Sequence, residues 1–87
     1  MKVTKEQALF YKGLGAAAQD MQEAIFDGDK LGEWLDGNVM SFFRDPPDHN
    51  SPYQRGYFQF LLDEREMMKV RGEKVTDVKE LFMEARS

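Results

Sequence analysis

Phe10, Leu14, Ala17, Met21 and Ala24 recur at spacings of four, three, four and three, and no stretch of the chain alternates apolar with polar residues. A repeat near 3.6 lines side chains along one face of an α-helix, whereas a half-buried strand needs a period of two. The expected class is therefore all-α. Thr4 and Gln7 stand at capping-box spacing ahead of this run, and Gly28 supplies a left-handed stop after it. A first helix is expected from Lys5 to Asp27. Gly13 and Gly15 inside it cost ~1 kcal/mol each relative to alanine, and the expected return is close approach of another helix or a ring to the backbone.

Asp29 is placed to cap a short second helix carrying Leu31, Trp34 and Leu35, which Gly37 stops, with Val39 to Phe43 adding one more turn. The segment Arg44 to Asn50 contains Pro46 and Pro47 and reads as an exposed loop. Ser51 then gives an N-cap, Pro52 sits where its missing N–H costs nothing, and Gln54 completes a second capping box. Tyr53, Tyr57, Phe60, Leu61, Glu64 and Met68 follow at helical spacing up to Gly72, widened by Phe58 and Leu62. A second long helix is expected from Pro52 to Arg71. Val75-Thr76 repeats the Val3-Thr4 entry, and Val78, Leu81, Phe82 and Ala85 line a last short helix. The expected architecture is one domain over residues 1–87, a small helical hairpin or bundle of two long and one or two short helices. The two long helices are expected antiparallel, with Gly13 and Gly15 at or near their contact.

A chain of 87 residues buries about 60–65% of its unfolded surface, which leaves little room for an internal cleft. Cysteine is absent, excluding disulfides, thiolate zinc sites and a cysteine nucleophile, and fitting a reducing compartment. The hydrophobic fraction of 41%, with eleven aromatic residues, outweighs the 32% charged and indicates a folded chain. So many rings exceed what a small core takes, and the surplus favours a partner surface or a homodimer. Met1-Lys2-Val3-Thr4-Lys5 leads into a polar amphipathic segment unlike a signal peptide, and no apolar run approaches a membrane span. The expectation is a cytoplasmic protein with no membrane partner.

Charge is distributed unevenly. Between Asp20 and Asp36, six carboxylates (Asp20, Glu23, Asp27, Asp29, Glu33 and Asp36) face one lysine, Lys30, for a net −5, while the whole chain totals −4. Asp20, Glu23 and Asp27 are spaced at three and four and form a stripe on the first helix; Glu33 and Asp36 form another on the next. Ordered carboxylates can imitate a phosphate track and occupy the basic groove of a nucleic-acid enzyme. The alternatives are a solvated helix face, which is what charge runs on helices usually are, and a site for a divalent metal. Trp34, with Phe42 and Phe43, adjoins the stretch and is either an aromatic anchor beside carboxylates or the closure of a core. The candidate partner-binding set is Asp20, Glu23, Asp27, Asp29, Glu33, Trp34 and Asp36.

No catalytic constellation stands out. His49, the only histidine, follows Asp45 and Asp48 in the proline loop and lacks a second histidine or a nucleophile to work with. Gly13-Leu14-Gly15 lies inside a helix without the later glycine and Lys-Ser/Thr of a phosphate loop. The reading is a non-enzymatic chain with no metal or cofactor. Tyr53, Tyr57, Phe58 and Phe60, mostly core, could stack bases beside Arg55. Single-strand binders, however, surround such platforms with positive charge. Arg65, Lys69, Arg71 and Lys74 give the one modestly basic region, offset by Glu66 and Glu73. A protein partner is expected over direct binding of nucleic acid.

Two segments look alike: Phe10-Tyr11-Lys12-Gly13-Leu14-Gly15-Ala16-Ala17 and Tyr53-Gln54-Arg55-Gly56-Tyr57-Phe58-Gln59-Phe60, each with a basic residue and a glycine just after an aromatic. Together with Pro52-Tyr53 they resemble the ribosome modulation factor family and the small bacterial and prophage proteins like it, over about half the chain. The matching residues are Tyr11, Gly13, Pro52, Tyr53, Gly56 and Tyr57. The resemblance implies a helical pair joined by a Pro-Tyr loop, and a ribosome- or RNA-associated role. That family is basic where this chain is acidic. The leading expectation is thus a protein-binding module, a phage or prophage accessory factor that inhibits a host nucleic-acid-handling machine through its acidic surface. A ribosome- or RNA-associated modulation factor and a structural homo-oligomer are the alternatives.

Overall fold

Backbone capping accounts for most of the helix ends. The computed structural model describes residues 2–45 and 51–87, and these form four helices and no strand: α1 (Lys5–Phe26), α2 (Leu31–Arg44), α3 (Pro52–Val70) and α4 (Val78–Arg86). Of the loop expected from Arg44 to Asn50, residues 46–50 with the paired prolines and His49 lie outside the described residues, while Arg44 belongs to α2 and Asp45 is its C-cap. The Gln7 amide donates to Thr4 Oγ1 at 3.1 Å and the Thr4 amide to Gln7 Oε1 at 3.0 Å, so both arms of the first capping box are made. Ser51 Oγ accepts from the Gln54 amide with Pro52 in the first turn of α3. Gly28 (φ +95°) and Gly72 (φ +83°) end α1 and α3 identically. In each case the glycine amide donates to the carbonyl three residues back, and the next amide donates to the carbonyl five back: Asp29 to Ala24, Glu73 to Met68. This Schellman geometry is open to glycine because φ is positive.

The middle of the chain departs from expectation. Lys30, not Asp29, is the N-cap of α2, and no side chain caps it. Gly37 does not stop the helix, which continues to Arg44 in one piece. Leu35 and Val39, both fully buried, lie on either side of Gly37 at a spacing of four, so the tertiary contact outweighs the ~1 kcal/mol glycine penalty. α4 begins after Asp77, whose carboxylate accepts from the Lys79 amide at 2.8 Å, rather than at Thr76.

The long helices run parallel, correcting the antiparallel expectation. Phe10 and Gly13 of α1 lie against Gly56 and Tyr53 near the start of α3. At the other end, Met68 Cε of α3 would lie 3.4 Å from a Cβ on Gly32, just past the four-residue turn that follows α1. The ends of α1 and α3 therefore share one end of the bundle. α2 runs the opposite way, with Gly32 beside Met68, Asp36 beside Arg65 and Phe42 beside Phe58. A 14-residue α2 spans about 21 Å, long enough to carry the chain back across the bundle, so two reversals leave α1 and α3 in the same sense. α4 returns along α2, with Phe82 set edge-on to Phe43 at 5.2 Å.

Leu35, Val39, Leu61, Met68 and Leu81, from α2, α3 and α4, form the core. Arg65 sits in the same α3 stripe as Leu61 and Met68 and is only 2% exposed. Its guanidinium donates to the Asp36 carboxylate and to the Thr76 carbonyl, tying α2 and the approach to α4 onto α3. α1 supplies no large side chain to this core; its buried residues are Gly13, Ala17 and Ala24. A Cβ on Gly13 would overlap the Tyr53 carbonyl oxygen, and one on Gly56 would overlap that of Phe10. The two look-alike segments thus clasp each other reciprocally, each glycine under the carbonyl of the other segment's aromatic. Backbones this close permit Cα–H···O contacts and demand glycine at both positions. Gly15, by contrast, faces open space and is not at the contact.

Candidate functional site

The acidic residues divide into those that hold the fold and those that do not. Asp36 is half-buried and neutralised by Arg65. Asp20 accepts from the Tyr57 hydroxyl at 2.7 Å, linking α1 to α3. Burial of Tyr57, then this hydrogen bond and the charge of Asp20, push its hydroxyl pKa well above the ordinary tyrosine value, so it stays protonated and donating. Glu23, Asp27, Asp29 and Glu33 remain. All four are exposed and none makes an ion pair among the described residues. They gather at the end of α1, the following turn and the first turn of α2, forming an acidic tip.

Two of the charges at this tip, Glu23 and Asp27, oppose the helix that carries them, whereas Glu33 in the first turn of α2 favours its own. The C-terminal end of α1 has the negative pole of the helix dipole, its last turn contains no basic residue, and Glu23 and Asp27 add to it. α2, α3 and α4 each place a cation in the last turn, Arg44, Lys69 and Arg86. α1 is thus the one described helix whose last turn lacks a cation to offset its dipole.

Two aromatics stand near the tip, Trp34 in the first turn of α2 and Phe26 at the end of α1, and they differ in exposure. Trp34 is half-buried and packed against the core cluster. Phe42 and Phe43 lie near the far end of α2 in a ring cluster with Tyr57, Phe58 and Phe82. Phe26, in contrast, is 91% exposed. With Gln19, Gln22, Glu23 and Asp27 it borders an open depression of about 490 Å³. Phe26 falls outside the Phe10–Ala24 spacing, two residues before the helix-stopping glycine, and that placement was the available signal for an unburied ring.

The expected basic region is reduced, with only Lys74 exposed and outside an ion pair among the described residues. Arg65 is internal, Lys69 pairs with Glu66 at 3.3 Å and Arg71 with Glu73 at 2.9 Å. The described residues hold no group of three or more His, Cys, Asp or Glu arranged for a metal ion. No described helix is long and apolar enough to cross a membrane. Comparison with protein-family models, curated proteins and solved structures found no match.

Proposed function

We propose that this chain is a non-enzymatic protein-binding module whose binding surface is the acidic tip, with Phe26 as its anchor. The observation that carries the reading is a nearly fully exposed ring bordered by unpaired carboxylates on a helix end that those carboxylates destabilise. Aromatic anchors ringed by polar groups are the usual construction of interface hot spots. Four unpaired carboxylates select a partner with a basic surface and accelerate its encounter. A nucleic-acid-handling protein offers such a surface, and a phage or prophage accessory factor that inhibits one is the role these features fit. The ribosome-associated alternative needs basic residues facing outward, and burial of Arg65 removes one of the four that would have served it.

The test is affinity capture from nuclease-treated lysate with the wild-type chain and with a Glu23→Lys, Phe26→Ser, Asp27→Lys variant. Asp20 is left intact because it holds Tyr57. The expected result is a basic protein retained by the wild type, eluted by salt and lost with the variant. Equal retention by both, or binding that nuclease abolishes, contradicts the assignment.

A further inference from the structure

The end of the molecule away from the acidic tip carries a complementary surface. Arg44 closes α2 and Arg86 closes α4, and these two helices run side by side in the same sense. Together with Phe43 and Ala85 the two arginines line an open depression of about 300 Å³. Neither guanidinium makes an ion pair among the described residues; that of Arg86 lies 4.9 Å over the Phe82 ring. The depression thus offers an aromatic and aliphatic lining between two cations. The tip offers a ring beside two carboxylates. Phe26 precedes α2 and Arg44 ends it, so about 21 Å of helix separates the two surfaces and a chain cannot fill its own depression.

We infer that the Phe26 tip of one copy docks into the Arg44–Arg86 depression of a second copy, giving head-to-tail association of this chain. Phe26 enters between the arginines against Phe43, while Glu23 and Asp27 meet Arg44 and Arg86, whose planar guanidinium groups suit carboxylates. The two surfaces differ, so the contact is heterologous and propagates into short chains or closes into a ring. The contact is small and charged. Association is therefore weak, concentration-dependent and favoured at low ionic strength. The inference rests on the tip being a binding surface and adds a consequence: self-association hides the tip, and dilution or salt exposes it to another partner.

Sedimentation velocity of the purified chain over a concentration series, at low and at physiological salt, tests this with two variants. Phe26→Ser removes the ring and leaves the depression; Arg44→Glu with Arg86→Glu reverses the depression and leaves the tip. Circular dichroism checks that both stay helical. The wild type should self-associate at low salt, and each variant alone should associate about thirtyfold or more weakly. An equimolar mixture of the two should form a 1:1 dimer that grows no further, because the intact tip of one fills the intact depression of the other. A wild type monomeric throughout, association unchanged in either variant, or a mixture that stays monomeric overturns the inference. The lysate capture then still decides separately whether the tip binds another protein.

Discussion

The two sides of α3 are packed by opposite means. Toward α2, Leu61, Arg65 and Met68 bury large side chains and one charge in a conventional core. Toward α1 the contact centres on Gly56 and Gly13, with backbone against backbone. A seam of the first kind gains stability from apolar area; one of the second gains it from closeness and tolerates no added atom. The difference bears on function. Because α1 is held through Gly13, Ala17 and Ala24, none of its large residues is fully buried: Phe10, Leu14 and Met21 are half-buried, and Leu9, Tyr11, Ile25 and Phe26 remain exposed.

The side-chain seam breaks most sharply at Arg65. Arg65→Ala leaves the Asp36 carboxylate and the Thr76 carbonyl without their buried partner, and denaturant unfolding should show a loss of about 3 kcal/mol or more. Next comes the glycine seam. Gly13→Ala and Gly56→Ala should each cost about 2–3 kcal/mol despite the better helix propensity of alanine, since the obstacle is a carbonyl rather than a movable side-chain tip. Gly15→Ala and Gly37→Ala meet open space and should each stabilise by about 1 kcal/mol. A destabilised Gly15→Ala would mean that the seam extends beyond Gly13.

How much of this contrast the sequence discloses depends on whether a residue's neighbours are local. The helix starts at Thr4 and Ser51 and the stops at Gly28 and Gly72 are backbone events within five residues, and they read directly. The continuation of α2 through Gly37 depends on what covers Leu35 and Val39, which is remote in sequence. Parallel packing depended on that continuation, because a helix stopped at Gly37 would not have carried the chain back across the bundle. Arg65 resembled its basic neighbours Lys69, Arg71 and Lys74, yet it lies four residues after Leu61 and three before Met68. Position within an apolar stripe was the better guide than residue type. The repeated aromatic-basic-glycine segments were visible, but not that they would meet each other.

Two smaller effects refine the comparison. Ser51→Ala removes the side-chain cap at the start of α3, on the glycine side of the helix, and should cost about 1 kcal/mol in thermal or denaturant unfolding. Tyr57→Phe bears on the link to Asp20. A tyrosine whose pKa is raised on folding stabilises the protein below the unfolded value, about pH 10, and that contribution fades as pH rises above it toward the folded value. Wild-type stability should thus fall more steeply than that of Tyr57→Phe in strong alkali. Parallel profiles would show that the Tyr57–Asp20 contact adds nothing to the seam.

α1 is held by what it lacks and displays what it does not need for folding. Denaturant unfolding of Gly13→Ala and Phe26→Ser side by side with the wild type tests it most directly. One added methyl at Gly13 is predicted to destabilise by about 2–3 kcal/mol, while deletion of the whole Phe26 ring is predicted to change stability by no more than about 0.5 kcal/mol. The reverse ranking, with Gly13→Ala as stable as the wild type and Phe26→Ser unfolding readily, would place Phe26 in the core and contradict the account.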